Sequence, residues 1–188
     1  LWVLHTAREA LRDARFSGDP GRTAAVFGNL SFPSSSMTRH AERVWLGDEL
    51  ADRFGIPRVD GRNRFMSGLP AHLLAEALGL GAGAFALDAA CASSLYAIAL
   101  GCEALHDRRA DTVLAGAVNR ADDLFIHVGF CALGALSKSG RSRPFDRGAD
   151  GLLPAEGAGF VVLKRLADAV RDGDTIHGVI RGVGLSND

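Results

Sequence analysis

In Asp88-Ala89-Ala90-Cys91-Ala92-Ser93-Ser94-Leu95 an apolar run, Ala84–Leu87, stops just short of a cysteine, and small or hydroxyl residues then open a stretch of helical character. A thiol at such a strand-to-helix corner lies near free backbone N–H groups and the positive end of a helix. Both favour thiolate over thiol and lower the cysteine pKa. Small neighbours let a substrate and its backbone contacts approach closely, so the chemistry this pattern supports is nucleophilic catalysis by Cys91. Free cysteine is also among the most buried residue types and often serves as a small hydrophobe. The corner alone leaves both readings open.

Other chemistry-bearing residues make weaker cases. Arg143, Asp146, Asp150 and Glu156 invite an acid–base or metal reading, yet their spacing matches no metal loop. Gly148, Gly151, Gly157 and Gly159 among them have the character of turn and close-packing residues. Structural ion pairing beneath an active site is therefore expected of these charges. The segment also lacks the Gly-Lys-Ser/Thr ending of a phosphate-binding loop. Three cysteines without metal-like spacing make neither a zinc site nor a disulfide framework. If Cys91 begins the helix that holds Cys102, helical rise separates their Cα atoms by ~16 Å, beyond disulfide reach. His5, His72 and His106 fall on helix-like segments, His40 near a helix start, His127 before a Val-Gly-Phe turn and His177 at the opening of a last strand. Each is expected as a surface or packing histidine. No metal and no cofactor of the chain's own is expected.

The elements that must position Cys91 follow from periodicity. Val3, Ala7, Ala10, Leu11 and Ala14 form a helical stripe, so the chain begins inside a helix that ends near Ser17-Gly-Asp-Pro20. Residues 23–30 read as a buried strand, 31–36 as a loop, 37–54 as a helix, 56–69 as an irregular connection and 71–78 as a helix. A strand over 84–90 leads to Cys91. Leu95, Ile98, Ala99, Cys102 and Leu105 then share one helical face that is expected to be buried, making Cys102 a core residue. Further strands are expected over 112–118, 160–163 and 176–183, with a short helix between the last two. Strands separated by helices imply an α/β protein with a mostly parallel sheet and helices on its faces.

With 188 residues the chain fits one domain able to bury about 70% of its unfolded surface. A net charge of −1 and a charged fraction of 23% give no electrostatic argument for nucleic acid or membrane as partner. No apolar stretch approaches the ~20 residues of a membrane span, and the first residues lack the regions of a signal peptide. The expected location is cytoplasmic.

Around and beyond Cys91 runs an ordered series: Thr112-Val-Leu-Ala-Gly-Ala-Val-Asn119, Gly129-Phe-Cys-Ala-Leu-Gly-Ala-Leu-Ser137, Ser142-Arg-Pro-Phe-Asp146, Ala149-Asp-Gly151, and Glu156-Gly-Ala-Gly159 leading into Phe160-Val-Val-Leu163. This series resembles the N-terminal half of a β-ketoacyl synthase of the thiolase-like superfamily, and the resemblance covers essentially the whole chain. It implies the first half of a two-repeat αβαβα architecture. Residues 1–188 would be the N-terminal portion of the domain, incomplete at both ends, with 176–188 entering the second half. It also implies a homodimer, in which the strand before Cys91 pairs with its copy.

By the same resemblance Cys91 accepts an acyl group as a thioester from the phosphopantetheine of an acyl carrier protein. A malonyl-type extender on a carrier is then decarboxylated, and its enolate attacks that thioester, in polyketide or fatty-acid synthesis. The family's two histidines sit in His-Gly-Thr-Gly-Thr and Asn-x-Gly-His blocks, and neither block occurs in these 188 residues. The chain by itself is therefore expected to be inactive in condensation, lacking donors for the enolate. The resemblance puts Phe130, in a Gly129-Phe130 turn, at the wall of the acyl pocket, a role compatible with core packing. It puts Phe65 and Met66 in a segment approaching the acyl tunnel and the dimer partner, where plain core packing is the simpler reading. The Ala89-Ala90-Cys91-Ala92-Ser93 variant of the nucleophile block is similar to iterative polyketide, polyunsaturated-fatty-acid and enediyne-type synthases. Two alternatives remain open here: a non-decarboxylating thiolase-like acyltransferase, and a non-catalytic module for dimerisation or carrier docking.

Overall fold

Six consecutive residues, Thr-Ala-Ala-Val-Phe-Gly, are all buried in strand β1 (Thr23–Gly28), which fixes that strand at the centre of a sheet covered on both faces. The computed structural model describes residues 1–30, 34–120 and 124–186. Strands β2 (Ala84–Leu87), β3 (Thr112–Asn119) and β4 (Gly157–Lys164) complete a four-stranded sheet in the order β2-β1-β3-β4. β1 runs parallel to β2 and to β3, with Val26 opposite both Phe85 and Ala115, whereas β4 is antiparallel to β3. The expected mostly parallel sheet is thus present with one antiparallel edge.

Side-chain alternation along β1 divides the core in two. Ala25 and Phe27 face helices α1 (Trp2–Asp13) and α4 (Leu69–Leu78), packing with Val3, Ala7, Ala71, Leu74 and Leu114. Phe27 also meets Phe160 edge-to-face at 5.4 Å between ring centroids, which ties β1 to β4 on this side. Ala24 and Val26 face helix α5 (Ser93–His106), together with Val113 and Ala115. Here the expected buried stripe holds at Ala99 and Leu105 and fails at Leu95 and Cys102. Ala97, Gly101, Ala104 and Leu105 carry the contact, Leu95 is 69% exposed, and Cys102 is half-buried. Small residues win the inner face because they let the helix axis come close to the sheet; Gly101 has Leu163 and Val113 side-chain atoms where a Cβ would sit.

Several expected boundaries change. The single helix over 37–54 is two helices, α2 (Ser35–Leu46) and α3 (Asp48–Arg53), parted by Gly47 at φ 78°, a left-handed value that glycine adopts without a Cβ penalty. Buried Arg43 braces this corner by donating to the Ile56 carbonyl at 2.6 Å and to Asp48 and Asp52 at 2.6 and 2.7 Å. Of the loop expected over 31–36, residues 31–33 lie outside the described residues, and Ser34 already caps α2 by accepting from the Met37 amide. The connection 56–69 contains a 3₁₀ stretch, Gly61–Gly68. The strand expected over 84–90 stops at Leu87, because Asp88–Ala90 turn away from β1. Residues 129–130 are not a turn; they lie within helix α6 (Leu124–Ala132). Residues 176–183 form no strand: they are exposed and have no strand neighbour among the described residues to supply ladder hydrogen bonds. Helix α7 (Leu166–Asp172) follows β4 as expected. No helix among the described residues is long and apolar enough to cross a membrane.

Opposite the carboxyl ends of the parallel strands, an ion-pair cluster ties α7 to the start of β1 and β3. Arg165 donates to the Leu105 and Ala110 carbonyls at 3.0 and 2.9 Å and pairs with Asp111 and Asp168; Arg22 pairs with Asp111 at 2.9 Å. Hydrogen bonds from Arg22 first, then Arg165, hold the Asp111 carboxyl down at about 2. A carboxyl depressed on folding contributes stability above its unfolded pKa, roughly 3.9, and that contribution is lost as pH falls through the folded value. Asp111→Asn is expected to lower Tm at pH 7 by about 2 °C, a small figure because solvent screens a carboxylate that is 46% exposed. The gap between variant and parent should close between about pH 4 and pH 2; calorimetry showing the same gap at both extremes would contradict this account.

Candidate active site

Because β1, β2 and β3 are parallel, their carboxyl ends lie along one edge of the sheet, where open α/β sheets place their ligand sites. Asp88, directly after β2, accepts from the Ala90 amide at 3.0 Å, and the Ala92 amide donates to the Ala89 carbonyl at 3.1 Å. These bonds fold Ala90–Ala92 into one 3₁₀ turn that runs straight into α5, so Cys91 sits two residues before the helix and is exposed. Ala92, the N-cap of α5, offers no side-chain acceptor, which leaves the first-turn amides uncapped by a side chain. The expected strand-to-helix corner is therefore present.

Two features of this corner were not read from the sequence. Ala90 lies at φ 49°, a left-handed conformation that a residue with a Cβ adopts rarely. Ser93 is only 5% exposed, and its Oγ accepts from the Ala89 amide at 2.9 Å and donates to the Ala90 carbonyl at 2.7 Å. Beneath it, a Cβ on Gly28 would fall 2.5 Å from the Ser93 Cβ, so the last residue of β1 must be glycine for the corner to seat on the sheet. A serine two residues after the cysteine and a glycine ending a buried strand were the available signals.

The three cysteines differ in setting. Burial, with Glu103 adding to it, pushes the Cys102 thiol up, which disfavours its thiolate. Cys131 is exposed on α6, so exposure alone does not single out Cys91; the turn and the helix start do.

Phe65 belongs to the 3₁₀ stretch Gly61–Gly68, which reaches the carboxyl edge because Asn29, just past β1, donates from Nδ2 to the Ser67 carbonyl at 2.7 Å. Its half-buried ring stacks on His72 at 4.5 Å and carries the Arg64 guanidinium 4.9 Å from its centroid. Met66 is in the same stretch, and its side chain lies outside the described residues. Phe130 is half-buried on α6, the helix that follows β3. The segments holding Cys91, Phe65, Met66 and Phe130 thus all follow or contact carboxyl ends of the parallel strands. A shallow groove lined by Leu1, Leu4, His5, Arg8, Glu9 and Arg12 lies instead along α1, which packs on the other face of the sheet from α5.

The ion pairing expected among Arg143, Asp146, Asp150 and Glu156 is replaced by loop-closing hydrogen bonds. Arg143 donates to the Gly148 carbonyl at 3.2 Å, and Asp146 accepts from the Gly148 amide at 2.6 Å. Asp150 accepts from the Ser137 hydroxyl at 2.6 Å and the Ser139 amide at 2.8 Å, and these two bonds hold its carboxyl below the usual range. Glu156 is exposed just before β4. Unsatisfied amides of a tight loop compete successfully for carboxylates that an ion pair would otherwise hold. Among the described residues no group of three or more His, Cys, Asp or Glu side chains is placed to hold a metal ion.

Residues 1–169 match the family model described as the N-terminal domain of β-ketoacyl synthase. Over 98% of its length the chain is 35% identical to a polyunsaturated fatty acid synthase of Thraustochytrium, spanning 10% of that polypeptide. It is 48% identical, over 59% of its length, to a phenolphthiocerol/phthiocerol polyketide synthase of Mycobacterium tuberculosis, spanning 7% of it. Among solved structures, the PfaC keto synthase–chain length factor superposes with a TM-score of 0.73 at 39% identity, covering 93% of this chain and 21% of that one. A β-ketoacyl synthase from Burkholderia phymatum gives 0.72 at 26% identity, covering 93% and 44%. The chain spans about a tenth or less of the length of these curated relatives. A thiolase-like sheet with a cysteine at its carboxyl edge, matched by that model over nearly all its residues, is what the sequence blocks led one to expect: the chain belongs to the β-ketoacyl synthase family, in its N-terminal domain.

Proposed function

We propose that Cys91 is the acyl-accepting nucleophile of a decarboxylating β-ketoacyl synthase that elongates polyketide or fatty-acid chains. The observation that carries this reading is the corner itself: an exposed thiol in a tight turn at the start of a 14-residue helix that has no side-chain cap. That setting leaves the thiol open to a substrate and offers backbone donors to an oxyanion. In the loading step the Cys91 thiolate attacks the thioester carbonyl of an acyl group carried on phosphopantetheine. The bond to the carrier sulfur breaks, the pantetheine thiol leaves, and an S-acyl cysteine remains. A malonyl-type extender on a carrier protein then loses carbon dioxide. Its enolate carbon attacks the S-acyl carbonyl, and Cys91 departs as thiolate from the β-ketoacyl product.

The resemblance assigns the donors that polarise the extender to histidine blocks that residues 1–188 do not contain. This segment would accordingly supply the loading half of the reaction. An acyl carrier protein is the partner such substrates require, and the Thraustochytrium and Mycobacterium relatives support that choice by being fatty-acid and polyketide synthases. A homodimer is proposed as well, supported by β2, an edge strand whose Phe85 is 46% exposed and whose outer side has no partner strand among the described residues.

Phe130, Phe65 and Met66 are the residues proposed to bound the acyl chain, Phe130 as a wall of the pocket and the other two from the stretch held at β1 by Asn29.

Two outcomes test this reading. In the full-length protein Cys91→Ala should lose acyl loading completely, read as the mass added by an acyl-carrier substrate; equal loading by the variant would overturn the assignment. Phe130→Ala should shift the relative kcat/KM for long and short acyl chains by about tenfold, the discrimination an apolar pocket provides for a few methylenes. A folded variant with an unchanged chain-length profile would return Phe130 to ordinary core.

A further inference from the structure

We propose that Ser93 is the positioning residue of the nucleophile: seated on Gly28, it holds Ala90 in its left-handed conformation and so fixes the direction in which Cys91 leaves the turn. The proposal rests on Cys91 being the acyl-accepting group.

Cys91 lies between two anchored residues. On one side Ala90 is held at both its polar backbone atoms, its amide by Asp88 at 3.0 Å and its carbonyl by the Ser93 hydroxyl at 2.7 Å. On the other side Ser93 starts α5, is 5% exposed, and receives the Ala89 amide at 2.9 Å on the same oxygen. One hydroxyl therefore both accepts and donates across the turn, closing a ring of hydrogen bonds around the cysteine. Ala90 at φ 49° has a Cβ that disfavours this conformation, and no glycine relieves it. A strained conformation persists when its surroundings over-determine it, and the Ser93 bonds together with the Asp88 bond do so here. From below, Gly28 leaves no slack: its absent Cβ would lie 2.5 Å from the Ser93 Cβ and 3.2 Å from the Ser93 carbonyl carbon. The central strand of the sheet thereby sets the height of Ser93, Ser93 sets Ala90, and Ala90 sets Cys91.

Removing the hydroxyl leaves the Ala89 amide without its acceptor and the Ala90 carbonyl with the Ser93 backbone amide as its remaining donor, which weakens the hold on Ala90 and favours its relaxation towards negative φ. The sulfur moves with it. Small displacements of a reacting atom cost rate steeply, because attack on a carbonyl requires a defined approach.

The test measures the rate of Cys91 alkylation by iodoacetamide in the full-length protein by peptide mapping, with Tm and the Cys131 rate as controls for the fold. Ser93→Ala should slow Cys91 by about tenfold while Cys131 and the fold are unchanged, the scale expected from losing the hydrogen bonds of one buried hydroxyl. Ala90→Gly added to Ser93→Ala should recover part of that loss, since glycine takes the positive φ without help. A purely structural serine would give no such rescue. An unchanged Cys91 rate in folded Ser93→Ala, or a loss that Ala90→Gly does not relieve, would overturn the proposal. If Ser93→Ala does not fold, the same rate is read in Gly28→Ala, which presses on Ser93 from the strand side; a parental rate there overturns it equally. Acyl loading is followed separately in each variant, so absent loading by the parent protein counts against the functional reading, and unchanged alkylation counts against the positioning role.

Discussion

The structure depends on the burial of β1 from every direction: two parallel neighbours take its edges, and helices take both faces. A strand with all six residues buried has no freedom to slip, since a one-residue shift would exchange its two core faces. Parallel pairing on both sides then collects three carboxyl ends at one edge. The cysteine, the Phe65 stretch and the helix bearing Phe130 all follow from that edge. The corner that holds Cys91 is thus built on a strand buried along its whole length, although the corner itself is exposed.

The two faces solve the same packing problem differently. On the α1 and α4 side large residues, Phe27, Leu74 and Leu114, fill the space between helix and sheet. On the α5 side alanines and Gly101 bring the helix down onto the strands. Close approach serves the site, because α5 begins at Ser93 and its N-terminus can contact the end of β1 only if the helix lies low. A bulkier inner face would lift the turn off Gly28. The small-residue composition of Ala97, Ala99, Gly101 and Ala104 is thus part of the site's geometry as much as of the core.

Order and type of the elements were legible because strands such as 112–118 are short apolar runs between polar breaks, and because α1 has a clear helical stripe. What failed has specific physical causes. The face of α5 was right at Ala99 and Leu105 and wrong at Leu95, which was taken as buried for its size, whereas the small Ala97, Gly101 and Ala104 make the close approach to the sheet. Gly129 suggested a turn, yet it lies inside α6 in open space, where a glycine is tolerated at modest cost. The strand over 176–183 has the right residues, but ladder bonds are made with a neighbour and cannot be inferred from one segment. Of the site, Cys91 and its corner were readable from residue types. The Ser93 hydrogen bonds and the conformation of Ala90 were not, since both depend on angles that composition does not encode.

The antiparallel direction of β4 has a consequence for how this architecture can vary. β3 ends at Asn119 and β4 begins opposite it at Gly157, so the chain between them leaves and re-enters the sheet at the same point. The Asn119 side chain fastens that junction by donating to the Ala155 carbonyl at 2.6 Å. Residues inserted or deleted within this excursion leave strand register untouched and are felt at the carboxyl edge alone. Closing a longer loop adds little entropic cost, about 0.6 kcal/mol for each doubling. One clamped junction therefore separates inheritance of the scaffold from variation of the loops at its carboxyl edge.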